Sequence, residues 1–264
     1  MTLEGYAVEG GFDRPYEPAT CFRPTLALGR HDGPGDAADL WRDYERVLDL
    51  VPGLGFDGVR LTVEWARIEP RRDEVDQTAL ERYARVAQHA RSMGLDVTVA
   101  LVDAAWPAWL GLEAWLLPWV RDVTVAHVQR TVRFLGDAVT GVVLFTQPHD
   151  LVAHGYLSAT APPWRRGATR DASFARAQLA SIESMVRDDE VVGAKIVATS
   201  RTLSLTGSPA GIAAVRAASS DCDELYVRTL VKGAGPTSSP VGLLERRDGA
   251  WHRAVSDELL SALR

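Results

Sequence analysis

The stretch GDAADLWRDYERVLDLVPGLGFDGVRLTVEWARIEP, residues 35–70, decides the fold. Its first half has a helical period. Leu40, Tyr44, Val47 and Leu48 recur on one face, and Asp36 stands where an N-cap belongs. A Gly-Phe-Asp-Gly turn follows at 55–58, and the residues after it have the length and β-branched content of a buried strand. A helix delivering the chain onto a short apolar strand is the repeating element of a parallel sheet covered by helices.

The same alternation extends in both directions. Residues 4–9 read as a first strand, followed by a Gly/Pro-rich loop to Gly35. Downstream, 76–93 reads as a helix stopped by Gly94, 95–103 as a third strand, 120–135 as a helix, 141–147 as a fourth strand and 171–186 as a helix. Residues 193–200 and 223–231 follow as strands five and six, separated by a short helix at 209–218. A last strand at 241–246 and a closing helix at 255–263 complete the chain. This pattern predicts an α/β fold, a (β/α)8-like barrel in a single domain spanning 1–264, shortened by one unit. The segment KGAGPTSSP (232–240) is too short for a crossover helix, which takes about a dozen residues, so one βα unit is missing or irregular. An open barrel edge leaves backbone N–H and C=O groups unpaired, and a homo- or hetero-oligomeric partner covering that edge is expected.

Composition narrows the class. A net charge of −6 leaves no basic face for nucleic acid or an anionic membrane. Cys21 and Cys222 are too few for a disulfide framework and match no zinc spacing. No phosphate-binding glycine loop is present, so no cofactor or metal is expected. The opening MTLEGYAVEGG has neither the basic nor the apolar region of a signal peptide, and apolar runs are strand-sized. A cytoplasmic protein is expected. Lys195 and Lys232 are the only lysines among 29 basic side chains, a codon signature of a GC-rich, actinobacterial type of genome.

Four motifs in order carry a family resemblance. GYAVEGGF (5–12), the 35–70 stretch with its Trp-Ala-Arg-Ile ending, VTVALVDAAWPAWL (97–110) and GDAVTGVVLFTQPHDLVAHGYLSATAPP (136–163) resemble the first four strand regions of family 1 glycoside hydrolases. The likeness is weak beyond residue 165, apart from PVGLLERRDGAW (240–251), which resembles the family's last strand. The resemblance implies a barrel whose mouth binds a sugar. The departures lie at that mouth. Ala7 stands where the family has a sugar-binding Gln, Asp103 where it has a His, and Thr146-Gln147 where it has Asn-Glu, the Glu being the general acid. The strand bearing the nucleophilic Glu in a Glu-Asn-Gly setting has no counterpart. Retaining hydrolysis needs two carboxyl groups about 5 Å apart, one to attack and one to protonate the leaving oxygen. An amide delivers no proton at neutral pH, and loss of general acid assistance costs on the order of 10² to 10⁴ in rate.

Barrel sites lie at the C-terminal ends of the strands. Alternation puts Arg60, Thr62 and Glu64 on one face of strand two, with Glu64 nearest the mouth and Arg60 matching the family's Arg beside the nucleophile. The candidate catalytic residues are Glu64, Asp103, Gln147 and His149, the last beside Asp150. Candidate substrate-binding residues are Arg60, Trp65, Trp106, Arg228 and Glu9, with Glu9 placed to orient Arg60. Glu64 has a plain alternative as the salt-bridge partner of Arg67 or Arg60, and the two arginines another as neutralisers of Glu9, Glu64 and Asp103. The leading functional expectation is a degenerate barrel recruited for a non-glycosidase reaction on a small-molecule substrate (elimination, cyclisation or group removal in a biosynthetic pathway). A non-catalytic ligand-binding or partner subunit, and a residual glycosidase acting through Glu64 or Asp103, are the alternatives.

Overall fold

The computed structural model describes residues 1–30 and 32–197, together with the backbone of two short strands at Leu244–Arg247 and Ala250–Arg253. The expected strand six, the segment at 232–240, the closing helix and Arg228 lie outside the described residues.

Four parallel strands form one sheet in chain order: β1 (Thr2–Leu3), β2 (Gly58–Thr62), β3 (Asp96–Val102) and β4 (Gly141–Phe145). Each pair is separated by helix, as in consecutive units of a barrel. The register runs Thr2 beside Arg60, Arg60 beside Thr98 and Thr98 beside Gly141. A parallel bridge from Val142 to Ile196 starts the next position in the sheet, inside the stretch expected to be strand five. β2, β3 and β4 are buried almost throughout, as a sheet with both faces covered must be. The covering helices are Tyr44–Gly53, Gln77–Ser92, Pro118–Leu135 and Thr169–Arg187. Asp76 caps the second of these by accepting from the Ala79 N–H at 3.0 Å, and Gly94 (φ +80°) takes the left-handed conformation that ends it. No described helix is long and apolar enough to cross a membrane.

Three sequence expectations need correction. The first strand is Thr2–Leu3, not 4–9. From Glu4 onward the backbone coils into a short helix, Gly5–Val8, with Val8 N–H donating to Glu4 O at 2.9 Å and Glu9 N–H to Gly5 O at 2.8 Å. Side-chain ties described below hold Glu9 against Arg67 and Tyr83, a placement that an extended 4–9 segment would not supply. Asp36 does not cap a helix. Residues 36–42 form turns, with Ala37 and Asp39 at positive φ, and the helix begins only at Tyr44. The last strand is also not single: Leu244–Arg247 pairs antiparallel with Ala250–Arg253, as a hairpin.

Candidate active site

The C-terminal ends of β2, β3 and β4 converge on one carboxylate. Asp103, one residue past β3, accepts from the Thr62 hydroxyl at 3.2 Å and from the Thr146 hydroxyl, which reaches it from the end of β4. The three side chains come from three consecutive strands because parallel strands in register bring their C-terminal residues to the same level. Asp103 lines a cleft of about 110 Å3 together with Val102, Trp106, Phe145, Pro148 and Leu151, with Gln147, Asp150 and His154 among the other polar lining groups. Gln147 is exposed and immediately precedes the helix Pro148–Val152. Trp106 is fixed in the wall by its indole N–H, which donates to Gly111 O at 3.0 Å, and by an edge contact with Trp115.

Around Asp150 two imidazoles converge. His149 Nε2 lies 3.3 Å and His154 Nε2 3.9 Å from Asp150 Oδ1, while His154 Nδ1 is 2.8 Å from the Thr160 hydroxyl. A single π-helical turn, Ala153–Leu157, follows the short helix and carries His154. Wide turns of this kind recur at functional sites. His154 is a cleft residue that sequence reasoning missed, although its spacing of four from Asp150 was open to reading.

Glu64 lies beneath this surface. It is 2 % exposed, and its Oε1 has no hydrogen-bond partner. Its backbone N–H donates to the Tyr83 hydroxyl at 3.0 Å. Burial, then the charges of Glu9 and Asp103, push its carboxyl well above the usual range, against the opposing pull of Arg67 and the Tyr6 N–H. Gly5 makes room for it: a Cβ there would sit 2.4 Å from Glu64 Oε1 and 2.6 Å from its Cγ. A carboxyl whose folded pKa is raised contributes stability fully present below its unfolded value near 4.5 and lost as pH rises through the folded pKa. Glu64→Gln is therefore expected to flatten the decline in stability above pH 4.5, measured by chemical denaturation across pH. A Gln variant with the wild-type slope would refute that placement.

The structure separates the remaining sequence candidates from the cleft. Glu9 does not orient Arg60. Its carboxylate accepts from Arg67 Nε at 2.6 Å and from the Tyr83 hydroxyl at 2.7 Å, and all three side chains are buried. Arg67 also donates to Glu17 at 2.5 Å and to Gly10 O at 2.8 Å, with its guanidinium over the rings of Phe12 and Trp41. Trp65 opens the short helix Trp65–Ile68, stacks on His127 at 4.6 Å and meets Trp109 edge-on. It is 1 % exposed in the layer between sheet and helix Pro118–Leu135, where His127 and Arg130 both bind the Glu69 carboxylate. Arg60 faces the barrel interior by strand alternation, and its Nε is buried without a partner.

A parallel sheet wound with helices and a cleft at its C-terminal edge agree with what comparison finds. The model of glycosyl hydrolase family 1 matches residues 9–219, reaching well past the point where the motifs fade. This chain belongs to glycosyl hydrolase family 1. A β-glucosidase-like chloroplastic protein of Oryza sativa, SFR2, is 29 % identical over 139 residues, covering 49 % of this chain and 21 % of that one. The family 1 β-glucosidase of Thermotoga maritima superposes with a TM-score of 0.78 at 19 % identity, over 89 % of this chain and 56 % of the other. A β-glycosidase from Pyrococcus horikoshii gives 0.74 at 18 %, over 96 % and 57 %. The fold is thus a shortened version of the family 1 (β/α)8 barrel. The chain spans about half the length of these solved structures, and between a fifth and about a third of the curated relatives it matches.

Proposed function

We propose that this family 1 barrel binds a small hydroxylated molecule in the Asp103 cleft and acts on it by proton transfer, in an elimination or cyclisation, without glycosidic cleavage. Asp103 is the base, set by two hydroxyls that orient its lone pairs. Glu64 is a buried carboxyl within electrostatic reach of Asp103, raised well above the usual carboxylate range by burial and by the charges of Glu9 and Asp103. Gln147 orients the ligand by hydrogen bonds from the cleft lining. The observation that carries this reading is the pairing of Thr62 and Thr146 on Asp103, which preorganises a carboxylate in the cleft lining beside the Gln147 amide.

Aryl β-glucosides test it, because their leaving groups need little acid assistance. Wild type and Gln147→Glu are both expected to release the phenol at the rate of the protein-free control. Release by wild type more than about tenfold above that control would overturn the reading. A gain of about 10² or more in the Glu variant, the size of restored acid catalysis, would do the same.

A further inference from the structure

Two residues other than glycine take the left-handed backbone conformation in the loop that follows the π-helical turn. Ala159 has φ +61° and Trp164 φ +57°. That conformation is unfavourable for any residue with a Cβ, which crowds the next carbonyl oxygen. The two bound a short tip, residues 159–164, and the tip supplies Ala161 and Pro162 to the lining of the Asp103 cleft.

The flanks of the tip are tied down. Ser158 bridges Arg166 antiparallel, Gly167 N–H donates to Leu157 O at 3.0 Å, and Arg165 N–H donates to Gly155 O at 2.8 Å. The Arg165 side chain adds ion pairs to Glu113 and Asp171. The tip itself rests on less. The Thr160 and Ala161 N–H groups share the His154 carbonyl at 2.9 and 3.2 Å, and Trp164 N–H closes a turn on Ala161 O.

Across from the tip stands Phe22, whose ring meets Trp164 edge-on with centroids 6.2 Å apart. Phe22 is a fixed post. It stacks on Tyr6 at 4.7 Å, and Tyr6 stacks on Phe12 at 5.4 Å. Its loop is pinned to the loop after β3, with Cys21 N–H donating to Trp106 O and Ala108 N–H to Ala19 O, both at 2.8 Å. Strained backbone persists only where surrounding contacts hold it, and it concentrates at clamps and switch regions. Here the strain at both ends of the tip favours release, and the ring contact opposes it.

We propose that residues 159–164 form a lid on the Asp103 cleft, hinged at Ala159 and Trp164 and latched by the Trp164 ring on Phe22. Small hinged segments of this kind gate access to enclosed sites. The lid controls entry, whatever chemistry the cleft performs, so it stands or falls apart from the reaction proposed above.

Entry is read directly by placing a thiol in the cleft wall as Leu151→Cys and following its alkylation by iodoacetamide, mapped to position 151 by mass spectrometry. Adding Phe22→Ala is expected to speed labelling roughly threefold or more, the scale of a lost edge-on aromatic pair. Hydrogen exchange of the 159–164 amides should quicken with it, while helix Pro118–Leu135 keeps its protection. Ala159→Gly removes no contact of the latch and makes the left-handed conformation free, so labelling should slow by roughly threefold. An unchanged labelling rate in Phe22→Ala would overturn the latch, and so would faster exchange spread equally over helix Pro118–Leu135. Labelling that is unchanged or faster in Ala159→Gly would overturn the hinge, even where Phe22→Ala loosens the whole fold.

Discussion

Replacing Arg67 with alanine is expected to destabilise the folded chain by about 3–5 kcal/mol, as removing one partner of a buried ion pair does. Arg67 is 2 % exposed and holds five partners at once: Glu9, Glu17, the Gly10 carbonyl and the rings of Phe12 and Trp41. Burial raises the Glu9 carboxyl, and the charge of Arg67 opposes that rise. With Arg67 removed, Glu9 remains 1 % exposed with only the Tyr83 hydroxyl, so it must take up a proton or draw in water. Arg67→Lys recovers little, because a single ammonium cannot address three acceptors lying in different directions. Glu9→Gln combined with Arg67→Met should regain part of the loss, since it leaves no unpaired buried charge. Urea denaturation of the single and double variants reads these differences. A change below about 1 kcal/mol for Arg67→Ala would show that the network is not holding the first loop to the barrel.

Gly5→Ala is expected to cost about 1–3 kcal/mol, as overpacking of a filled interior does. The added methyl would meet three atoms of Glu64 within 2.9 Å, in a place where Glu64 has no solvent to retreat into. The decisive feature is coupling. In a Glu64→Ala background the same methyl enters space that the carboxyl has vacated, so its penalty should fall below about 0.5 kcal/mol. An equal penalty in both backgrounds would place the strain elsewhere. This pair also explains how a carboxylate fits inside the fold at position 64: the glycine across from it supplies the volume.

Much of the barrel was legible in the sequence because its signals are local. The Gln77–Ser92 helix has its Asp76 cap and Gly94 stop in adjacent residues, and the apolar Val, Ala and Leu side chains of β3 outnumber its polar ones, as in a doubly covered strand. The first strand was misread because residues 4–9 have strand-like composition, whereas their conformation is set by Arg67 and Tyr83, 58 and 74 positions from Glu9. The site divides in the same way. Asp103, Trp106 and Gln147 follow directly from strand ends, and they line one cleft. Trp65 follows a strand end too, yet the chain has already turned into a helix there, which carries its ring to His127. The assignment of Glu9 to Arg67, and of Gly5 to Glu64, depends on side chains meeting across the barrel rim, and no spacing in one sequence records such meetings.

The most direct measurement is the intact mass of the chain after prolonged exposure to a 2-deoxy-2-fluoroglucosyl donor with a good leaving group, which arrests retaining enzymes at their covalent intermediate. The unmodified mass is the outcome that follows from proton-transfer chemistry at Asp103 without a covalent glycosyl step. A mass increased by one fluoroglucosyl unit, mapped to a carboxylate at the barrel mouth, would contradict it.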